Sequence, residues 1–217
     1  YQIKLITTIH DLNFVHRPKE IPIKVGNYYR EVCSRSAKES DRILAVSKTT
    51  KNDIISTYSK NKKDIDITYN APQKDFTPLS EKQKKTAQKN FAKGNPYFCF
   101  LGAFTPRKNL KTLVYAFNKW SLLNPNSNHQ LVIAGRSLHQ DEELNTALKN
   151  GNKKILLPGF IPRNQLNNFF GGATAFVFPS YFEGFGIPII EAMASNCLVL
   201  SSNSSCMPEI ANDAAHY

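Results

Sequence analysis

Two adjacent cations are the first residues whose type and position indicate chemistry. Arg107 and Lys108 lie in the segment G-A-F-T-P-R-K-N (102–109), which follows an apolar run and precedes an amphipathic helix pattern. Because a helix N-terminus carries partial positive charge, cations beside it suit a phosphate or diphosphate ligand. Asn109 is expected to cap that helix. Taken alone, the segment also fits a solvated Arg-Lys pair in a turn, so both interpretations stay open.

Two carboxylates follow in a second segment. Glu183 lies in the glycine-rich turn P-S-Y-F-E-G-F-G-I-P (179–188), and Glu191 falls near the end of the first turn of the next predicted helix. A carboxylate accepts hydrogen bonds from hydroxyl groups, and the N–H groups of a helix N-terminus bind an anion. The pair therefore indicates a ligand with both hydroxyls and phosphate, or else a capping carboxylate and a surface glutamate.

A histidine stands at the end of the first apolar run. His10 directly follows Ile3–Ile9, at the expected carboxyl end of a strand. Open α/β sheets bind ligands at that end, and a neutral imidazole donates or accepts a hydrogen bond. A structural histidine is the alternative that the position alone leaves open.

Alternating strands and helices must position these residues. Eight β-branched or aromatic runs mostly have few internal charges, which is typical of parallel strands buried on both faces. The predicted strands are Ile3–Ile9, Arg42–Val46, Ile65–Tyr69, Tyr97–Leu101, Gln130–Ala134, Lys154–Leu157, Ala173–Phe178 and Leu198–Ser201. Four apolar residues have the i, i+3, i+4, i+7 spacing of a helix face, namely Leu110, Leu113, Val114 and Phe117. A further helix is predicted over Pro188–Ser195, so the fold class is predicted as α/β with parallel sheets.

Composition is that of a folded, globular chain. Of 217 residues, 41% are hydrophobic and 21% are charged, which excludes disordered and collagen-like classes. No apolar run approaches the roughly 18 residues that a transmembrane helix needs. The four cysteines show no C-x-x-C spacing, so we expect a reducing, cytoplasmic compartment. Because Tyr1 already opens a strand pattern, the chain is expected to begin inside a domain.

The charge distribution argues against nucleic acid as a partner. The net charge of +11 comes mainly from the first half, with 13 Lys/Arg against 8 Asp/Glu in residues 1–71 and 6 against 2 in residues 72–94. Residues 95–217 are nearly balanced, with 9 against 7. No basic stripe with interleaved aromatic residues is present, so a basic face toward anionic lipid or an anionic substrate is favoured.

A polar segment separates two α/β halves. Residues 72–95 are rich in lysine, bounded by prolines, and have a helix-like middle but no strand pattern. Such a segment is typical of a connection between lobes. We therefore predict a first lobe over 1–71, a linker or crossover over 72–95 and a second lobe over 96–217.

The second segment also carries a family resemblance. The run P-S-Y-F-E-G-F-G-I-P-I-I-E-A-M-A-S-N at 179–196 resembles the E-x7-E signature of retaining glycosyltransferases of the GT-B fold, grouped as family 4. Other stretches agree with it in order and spacing: T-I-H-D-L (8–12), A-V-S-K-T-T-K-N-D-I (45–54), F-L-G-A-F-T-P-R-K-N-L (100–110), L-P-G-F-I-P (157–162) and S-S-C-M-P-E-I (204–210). The resemblance implies two Rossmann-like lobes, an acceptor-side lobe ending at residue 71 and a donor-binding lobe from residue 96. Both are expected to be incomplete, the first lacking its N-terminal part and the second its C-terminal helices.

The resemblance further implies roles for single residues. Lys108, with Arg107 beside it, matches the basic element that binds the donor diphosphate. Glu183 matches the signature's first glutamate, near the donor sugar, and Glu191 the second, which hydrogen-bonds the ribose. His10 matches a first-lobe histidine that faces the transferred sugar. The expected catalytic residues are His10, Glu183 and Lys108, with further donor contacts from Phe160 and Ile161 around the base and from the backbone of Gly184, Phe185, Gly186 and Ile187.

The activity implied by the resemblance is transfer of a hexose from a nucleotide-diphosphate sugar with retention of configuration. GDP-mannose is favoured over UDP- and dTDP-sugars. The acceptor is expected to be a glycan or lipid-linked sugar of bacterial surface polysaccharide, met at the inner face of the cell membrane. No cofactor or metal is expected, although Asp64 and Asp66 imitate a D-x-D metal motif within a strand pattern. The alternative is a non-catalytic nucleotide-sugar-binding subunit or an inactive fragment.

One position departs from the family's pattern. The family often has arginine after the glycine of the F-L-G loop, where this chain has Ala103. Arg107, four residues later, is expected to supply the missing contact to the donor.

Overall fold

The chain divides into two compact units. The computed structural model describes residues 3–136, 142–149 and 152–217. The first unit comprises Tyr1–Ala71, Phe182–Gly186 and Asn203–Asn212, and the second comprises Pro72–Tyr181, Ile187–Ser202 and Asp213–Tyr217. Two short segments of the range predicted for the second lobe are thus grouped with the first unit by their contacts. The division into 1–71, 72–95 and 96–217 stays a prediction.

Strands and helices alternate along the described chain. The strands are β1 (Ile6–Ile9), β2 (Arg42–Ala45), β3 (Ile65–Ile67), β4 (Tyr97–Leu101), β5 (Gln130–Ala134), β6 (Ile155–Gly159), β7 (Ala175–Phe178), β8 (Leu198–Ser201) and β9 (Ala215–His216). The α-helices are α1 (Asn13–His16), α2 (Ile23–Glu39), α3 (Lys48–Tyr58), α4 (Glu81–Ala92), α5 (Leu110–Leu123), α6 (Glu142–Lys149), α7 (Arg163–Gly171), α8 (Ile187–Ala194) and α9 (Met207–Ala211). Short 3-10 helices cover Pro18–Glu20, Lys62–Asp64, Pro106–Lys108 and Asn212–Ala214.

Each unit is built around a parallel sheet. The first sheet has the order β1-β2-β3 and the second the order β6-β5-β4-β7-β8-β9, and all their strand pairs are parallel. The predicted α/β class with parallel sheets is confirmed. All eight predicted strands form, three of them with the predicted bounds. The two-residue β9 was not predicted, because so short a strand carries no periodic signal.

The first strand is shorter than predicted. β1 begins at Ile6 rather than Ile3, and directly before it the backbone N–H of Leu5 donates to the Asp41 carboxylate at 2.8 Å. Lys4 donates to the same carboxylate at 3.1 Å. A side chain thus takes the hydrogen bond that a neighbouring strand would have made, and the ladder starts one residue later.

The core of each unit is formed by the apolar residues of its own strands and helices. In the first unit, buried residues of β1, β2, β3 and α3 pack together, among them Ile9, Ile43, Ile54 and Ile65. In the second, the predicted apolar face of α5 is confirmed: Leu110, Leu113, Val114 and Phe117 are buried against Phe100, Leu131 and Ile133. At roughly 1.5–3 kcal/mol for each large side chain fully buried, this face is what attaches α5 to its sheet.

The polar segment after residue 71 is part of the second unit. Its helix-like middle is confirmed as α4, which begins with a capping box between Ser80 and Gln83. Before the helix, Phe76 is buried and lies 6.3 Å from the ring of Phe170 on α7. An aromatic anchor and a well-capped helix therefore fix this segment to the second sheet's helices.

The cysteines and the D-x-D aspartates are the residues that raised the questions of disulfide bonds and metal binding. All four cysteines are free. Asp66 of the D-x-D sequence lies on β3 and accepts hydrogen bonds from the Arg42 guanidinium. Among the described residues, no group of three or more His, Cys, Asp or Glu side chains could hold a metal ion.

Within the part of the chain that the structure describes, none of the helices is both long and apolar enough to cross a bilayer.

Candidate functional site

Lys108 is buried at the end of the 3-10 turn that follows β4. Only 8% of the residue is exposed, although lysine is among the residues least often buried. Its Nζ lies 4.8 Å from the centroid of the Phe178 ring at the end of β7. A cation over an aromatic face is attracted by the ring's quadrupole. Its Cε lies near Gly102, where an added Cβ would be 3.5 Å away, an ordinary van der Waals contact.

The turn is tied to the loop that follows β7. Asn109 adopts a left-handed conformation, with φ of 55°, and its side-chain amide donates to the Pro179 carbonyl at 3.2 Å. The backbone N–H of Tyr181 donates to the Arg107 carbonyl at 2.8 Å. The predicted capping of α5 by the Asn109 side chain is wrong, because that side chain is used between the two loops. Since β4 and β7 are parallel neighbours, their carboxyl ends bring these loops together.

Glycines allow the loops after β4, β5 and β6 to approach one another. Gly135 has φ of 142°, and a Cβ there would lie 1.8 Å from the Gly102 carbonyl oxygen. The Gly135 N–H donates to the Gly159 carbonyl at 2.8 Å, and the Gly102 N–H donates to Ala134 at 3.0 Å. Only glycine allows this backbone contact at Gly135, and the contact sets where the cationic turn begins.

The predicted base-binding residues differ in their surroundings. Phe160 is 64% exposed, and the Arg136 guanidinium lies 5.3 Å from its ring centroid. Ile161 is buried, with 5% of its surface exposed. An exposed ring with a neighbouring guanidinium offers a face on which a nucleotide base could stack, whereas the Ile161 side chain contributes packing.

Glu191 is a buried carboxyl on α8 with a cation beside it. Burial raises its pKa, the Arg163 guanidinium lowers it, and the Asp75 carboxylate raises it. The closest Arg163 to Glu191 oxygen distance is 3.9 Å, and the same guanidinium lies 5.8 Å from the Phe76 ring centroid. The pKa of Glu191 is raised overall because burial is the largest of these effects, and Arg163 offsets part of the rise. Ile187, the first residue of α8, is 43% exposed.

Arg163→Ala is expected to make any ligand contact of the Glu191 carboxylate more sensitive to acid. Without the cation the pKa of Glu191 rises further, because burial and Asp75 already act in that direction. Nucleoside diphosphate affinity measured from pH 5 to 8 should then begin to fall at a higher pH in the variant. Arg163→Lys, which keeps the charge, is the control. Superimposable pH profiles for wild type and Arg163→Ala would contradict the role of Arg163.

His10 and the E-G-F-G turn meet within the first unit. A Cβ on Gly184 would lie 1.9 Å from the His10 carbonyl oxygen, so the two backbones are in direct contact. The hydroxyl of Thr50, on α3, lies 3.4 Å from the His10 carbonyl oxygen and 3.3 Å from that of Gly184. Phe185 is buried and lies 6.1 Å from the ring of Tyr69. The His10 side chain is exposed, so its ring is available to a ligand.

Glu183 is held through its backbone. Its N–H donates to Ser205 Oγ at 3.3 Å, and Ser205 Oγ donates to the Glu183 carbonyl at 2.7 Å. The residue is 7% exposed. Beside it, burial and then the charges of Glu183 and Glu209 raise the pKa of Cys206 to about 12. The Cys206 thiol therefore stays protonated at neutral pH and is not a nucleophile.

Among the residues that contact the predicted site residues, four polar or charged side chains are examples that were not singled out from the sequence. They are Thr50, Arg136, Arg163 and Ser205. Thr50 and Ser205 lie within segments of the family resemblance and Arg163 directly follows one, so closeness in sequence to a motif was the available signal for these three. Arg136 lies two residues after the predicted strand Gln130–Ala134. Their side-chain partners are far away in sequence, and no local pattern names such partners.

Comparison with known sequences agrees with the resemblance. The family described as "Glycosyl transferases group 1" matches residues 81–216. "O-antigen chain mannosyltransferase B" of Escherichia coli is 28% identical over 214 residues, which are 97% of this chain and 56% of that protein. "O-antigen chain mannosyltransferase RfbU" of Salmonella typhimurium is 31% identical over 215 residues, 97% of this chain and 55% of that protein. The chain spans about half the length of these curated relatives.

Comparison with solved structures identifies the fold. HepE of Anabaena, solved in complex with UDP and glucose, has a TM-score of 0.79 to this chain at 16% sequence identity. The match covers 95% of this chain and 55% of that one. At this identity the likeness shows the fold alone, which is the GT-B glycosyltransferase architecture predicted from the motifs.

Proposed function

Since the chain belongs to the family of group 1 glycosyl transferases, we propose that it is part of an enzyme that transfers a hexose from a nucleotide-diphosphate sugar. The observation that carries the proposal is the buried Lys108, held by a glycine-shaped turn beside the ring of Phe178. A cation fixed in this turn, at the carboxyl end of the second sheet, can stabilise an anionic ligand by charge-assisted hydrogen bonds.

The proposed donor is GDP-mannose. Two relatives that match almost the whole chain are named mannosyltransferases of O-antigen chains, which supports a mannosyl donor and a surface-polysaccharide product. UDP-sugars are the main competitor, because the fold neighbour HepE was solved with UDP. An exposed Phe160 with Arg136 beside it would stack on any base, so base preference must come from groups at the edge of the base.

The proposed chemistry is stabilisation of a leaving diphosphate. Negative charge grows on the diphosphate as the bond to the sugar breaks, and Lys108 and Arg107 are proposed to neutralise it. Glu191 is proposed to accept hydrogen bonds from the ribose, and Glu183 and His10 to contact the sugar. The acceptor hydroxyl attacks the anomeric carbon from the face that the diphosphate leaves, and the departing phosphate oxygen takes its proton. Configuration is retained without a metal or a covalent enzyme intermediate.

A donor panel tests this proposal. The purified protein is incubated with GDP-mannose, UDP-glucose and dTDP-rhamnose, and released nucleoside diphosphate is measured with glycan or lipid-linked acceptors present and absent. We expect release from GDP-mannose above the other donors and an α-linked product by NMR. Nucleoside diphosphate binding without release from any donor would instead favour a non-catalytic nucleotide-sugar-binding subunit.

The acceptor and location belong to the same proposal. A lipid-linked or glycan acceptor at the inner face of the cell membrane would be met by a basic surface, and residues 1–94 carry most of the chain's positive excess. Co-sedimentation with vesicles that contain anionic lipid, and not with neutral vesicles, is the expected result. Equal recovery with both would remove the membrane contact from the proposal.

A further inference from the structure

We propose that Glu209 is a positioning residue for the turn Phe182–Gly186, which it fixes by joining the two elements that hold Glu183 and Gly184. The proposal rests on the proposed function for its effect on turnover. The contacts that carry it all lie within the first unit.

The Glu209 carboxylate closes the N-terminus of α3. Oε1 accepts hydrogen bonds from the Lys48 N–H at 2.6 Å and the Tyr69 hydroxyl at 2.9 Å. Oε2 accepts from the Thr49 N–H at 3.0 Å and the Thr49 hydroxyl at 3.1 Å. The first N–H groups of a helix have no partner inside the helix, and a carboxylate there is favoured by the helix dipole. Both carboxylate oxygens thus accept two hydrogen bonds each, and these bonds connect α9 to the N-terminus of α3.

On the α9 side of the junction between Glu209 and the N-terminus of α3, Ser205 holds the backbone of Glu183. Ser205 precedes Glu209 by four residues, in the turn before α9, and has a left-handed φ of 54°. Its Oγ accepts from the N–H of Glu183 and donates to the carbonyl of the same residue. A single hydroxyl therefore satisfies both backbone groups of the residue predicted to contact the donor sugar.

On the other side, Thr50 holds Gly184. Thr50 follows Thr49 on α3, is 1% exposed, and its backbone N–H donates to Ser47 Oγ at 3.0 Å. The Ser47 hydroxyl donates to Thr50 Oγ1 at 3.1 Å, so the single Thr50 proton remains for the Gly184 or His10 carbonyl. The hydroxyl is thus oriented by its neighbours toward the turn.

These hydrogen bonds and the chain segments between them form a closed circuit. It runs from Glu183 to Ser205, along the chain to Glu209, across to Thr49, and from Thr50 to Gly184. Two successive residues of the turn are therefore held by two different elements, and Glu209 sets the distance between those elements. Without the carboxylate, α9 can move relative to α3. Ser205 and Thr50, which hold Glu183 and Gly184, are then no longer kept at a fixed distance from each other. Because misplacement by about 1 Å can cost about 100-fold in rate, such movement would reach the chemistry.

The experiment combines amide hydrogen exchange with kinetics on Glu209→Gln. One carboxylate oxygen is replaced by an NH2 group, which donates instead of accepting and so cannot bond the N–H group that it faces. We expect faster exchange in peptides covering residues 182–187 and a kcat about 10- to 100-fold lower. The dissociation constant for GDP should rise by a smaller factor than kcat falls, because the proposed side-chain contacts to the diphosphate and ribose, from Lys108 and Glu191, lie outside the turn.

A second pair of variants keeps the test decisive if Glu209→Gln folds poorly. Thr50→Val removes the anchoring hydroxyl with little change in shape and should reproduce the faster exchange, whereas Thr50→Ser should restore wild-type exchange. Tyr97→Phe is the matched control, because it removes a buried hydroxyl that donates to the Phe169 carbonyl at 2.7 Å in the second unit. It should lower stability without changing exchange in residues 182–187.

Three possible results separate the positioning role from the proposed function. Wild-type exchange over 182–187 in both Glu209→Gln and Thr50→Val overturns the positioning role, whatever the activity. Faster exchange with unchanged kcat also overturns it, since the turn would then move without affecting the reaction. If the wild-type protein releases no nucleotide from any donor, the proposed function fails, while the exchange measurement still decides whether Glu209 holds the turn.

Discussion

Lys108→Ala should lower kcat by about 100-fold or more and should weaken nucleoside diphosphate binding, the largest effect expected of any single side chain here. The removed ammonium is the buried cation at the carboxyl end of β4, and the proposed leaving group gains charge as the glycosidic phosphate bond breaks. A fixed charge that is already desolvated needs no reorganisation when that charge develops. Turnover at saturating GDP-mannose measures kcat, and calorimetric titration with GDP measures the affinity for nucleoside diphosphate.

The control for Lys108 is Lys119→Ala. Lys119 lies on α5, the helix that the cationic turn introduces, and is exposed. It has the same charge and removes the same number of atoms, so nonspecific effects of net charge appear in both variants. Wild-type turnover in Lys119→Ala with a large loss in Lys108→Ala is the expected contrast. Equal turnover in the two variants would remove Lys108 from the proposed mechanism.

Gly184→Ala should destabilise the first unit and abolish most of the turnover. The added Cβ would lie 1.9 Å from the His10 carbonyl oxygen and 2.9 Å from Asp11 Cβ, and the first of these neighbours is backbone. A flexible side chain could move aside, but here the E-G-F-G turn or the end of β1 must shift. Overpacking of this kind typically costs about 1–3 kcal/mol in the free energy of unfolding. Urea denaturation and kcat for the proposed donor are the measurements.

Gly26→Ala provides the matched control for Gly184. Gly26 lies inside α2 of the same unit, and the nearest atom to an added Cβ would be Arg30 Nη1 at 3.5 Å, an ordinary contact. Alanine within a helix is about 0.5–1 kcal/mol more favourable than glycine, so this variant should be more stable than wild type. Gly184→Ala with unchanged stability and turnover would show that His10 and the turn do not need their close backbone contact.

Local patterns predicted the elements well, because they depend on neighbours in sequence. Charge-poor β-branched runs marked the eight longer strands, and the spacing of Leu110, Leu113, Val114 and Phe117 marked the buried face of α5. The errors came from contacts between residues that are distant in sequence. β1 begins at Ile6, where the Asp41 carboxylate accepts from the Leu5 N–H, and the Asn109 side chain, at the N-cap position of α5, donates to the Pro179 carbonyl and makes no capping bond. In both cases a side chain forms a hydrogen bond with a residue that is distant in sequence.

The sequence by itself determined the α/β class, the order of the strands along the chain and the motif residues Lys108, Glu183 and Glu191, because periodicity and motif spacing are written in consecutive residues. The tertiary structure decided what surrounds those residues: the Phe178 ring beside Lys108, Arg163 beside Glu191, and Ser205 on the backbone of Glu183. It also decided that Glu209 closes a helix that begins 161 residues earlier in the chain. Partners so distant in sequence meet only when the sheets and helices have packed, so burial, charge compensation and the rigidity of the turn are properties of the folded chain.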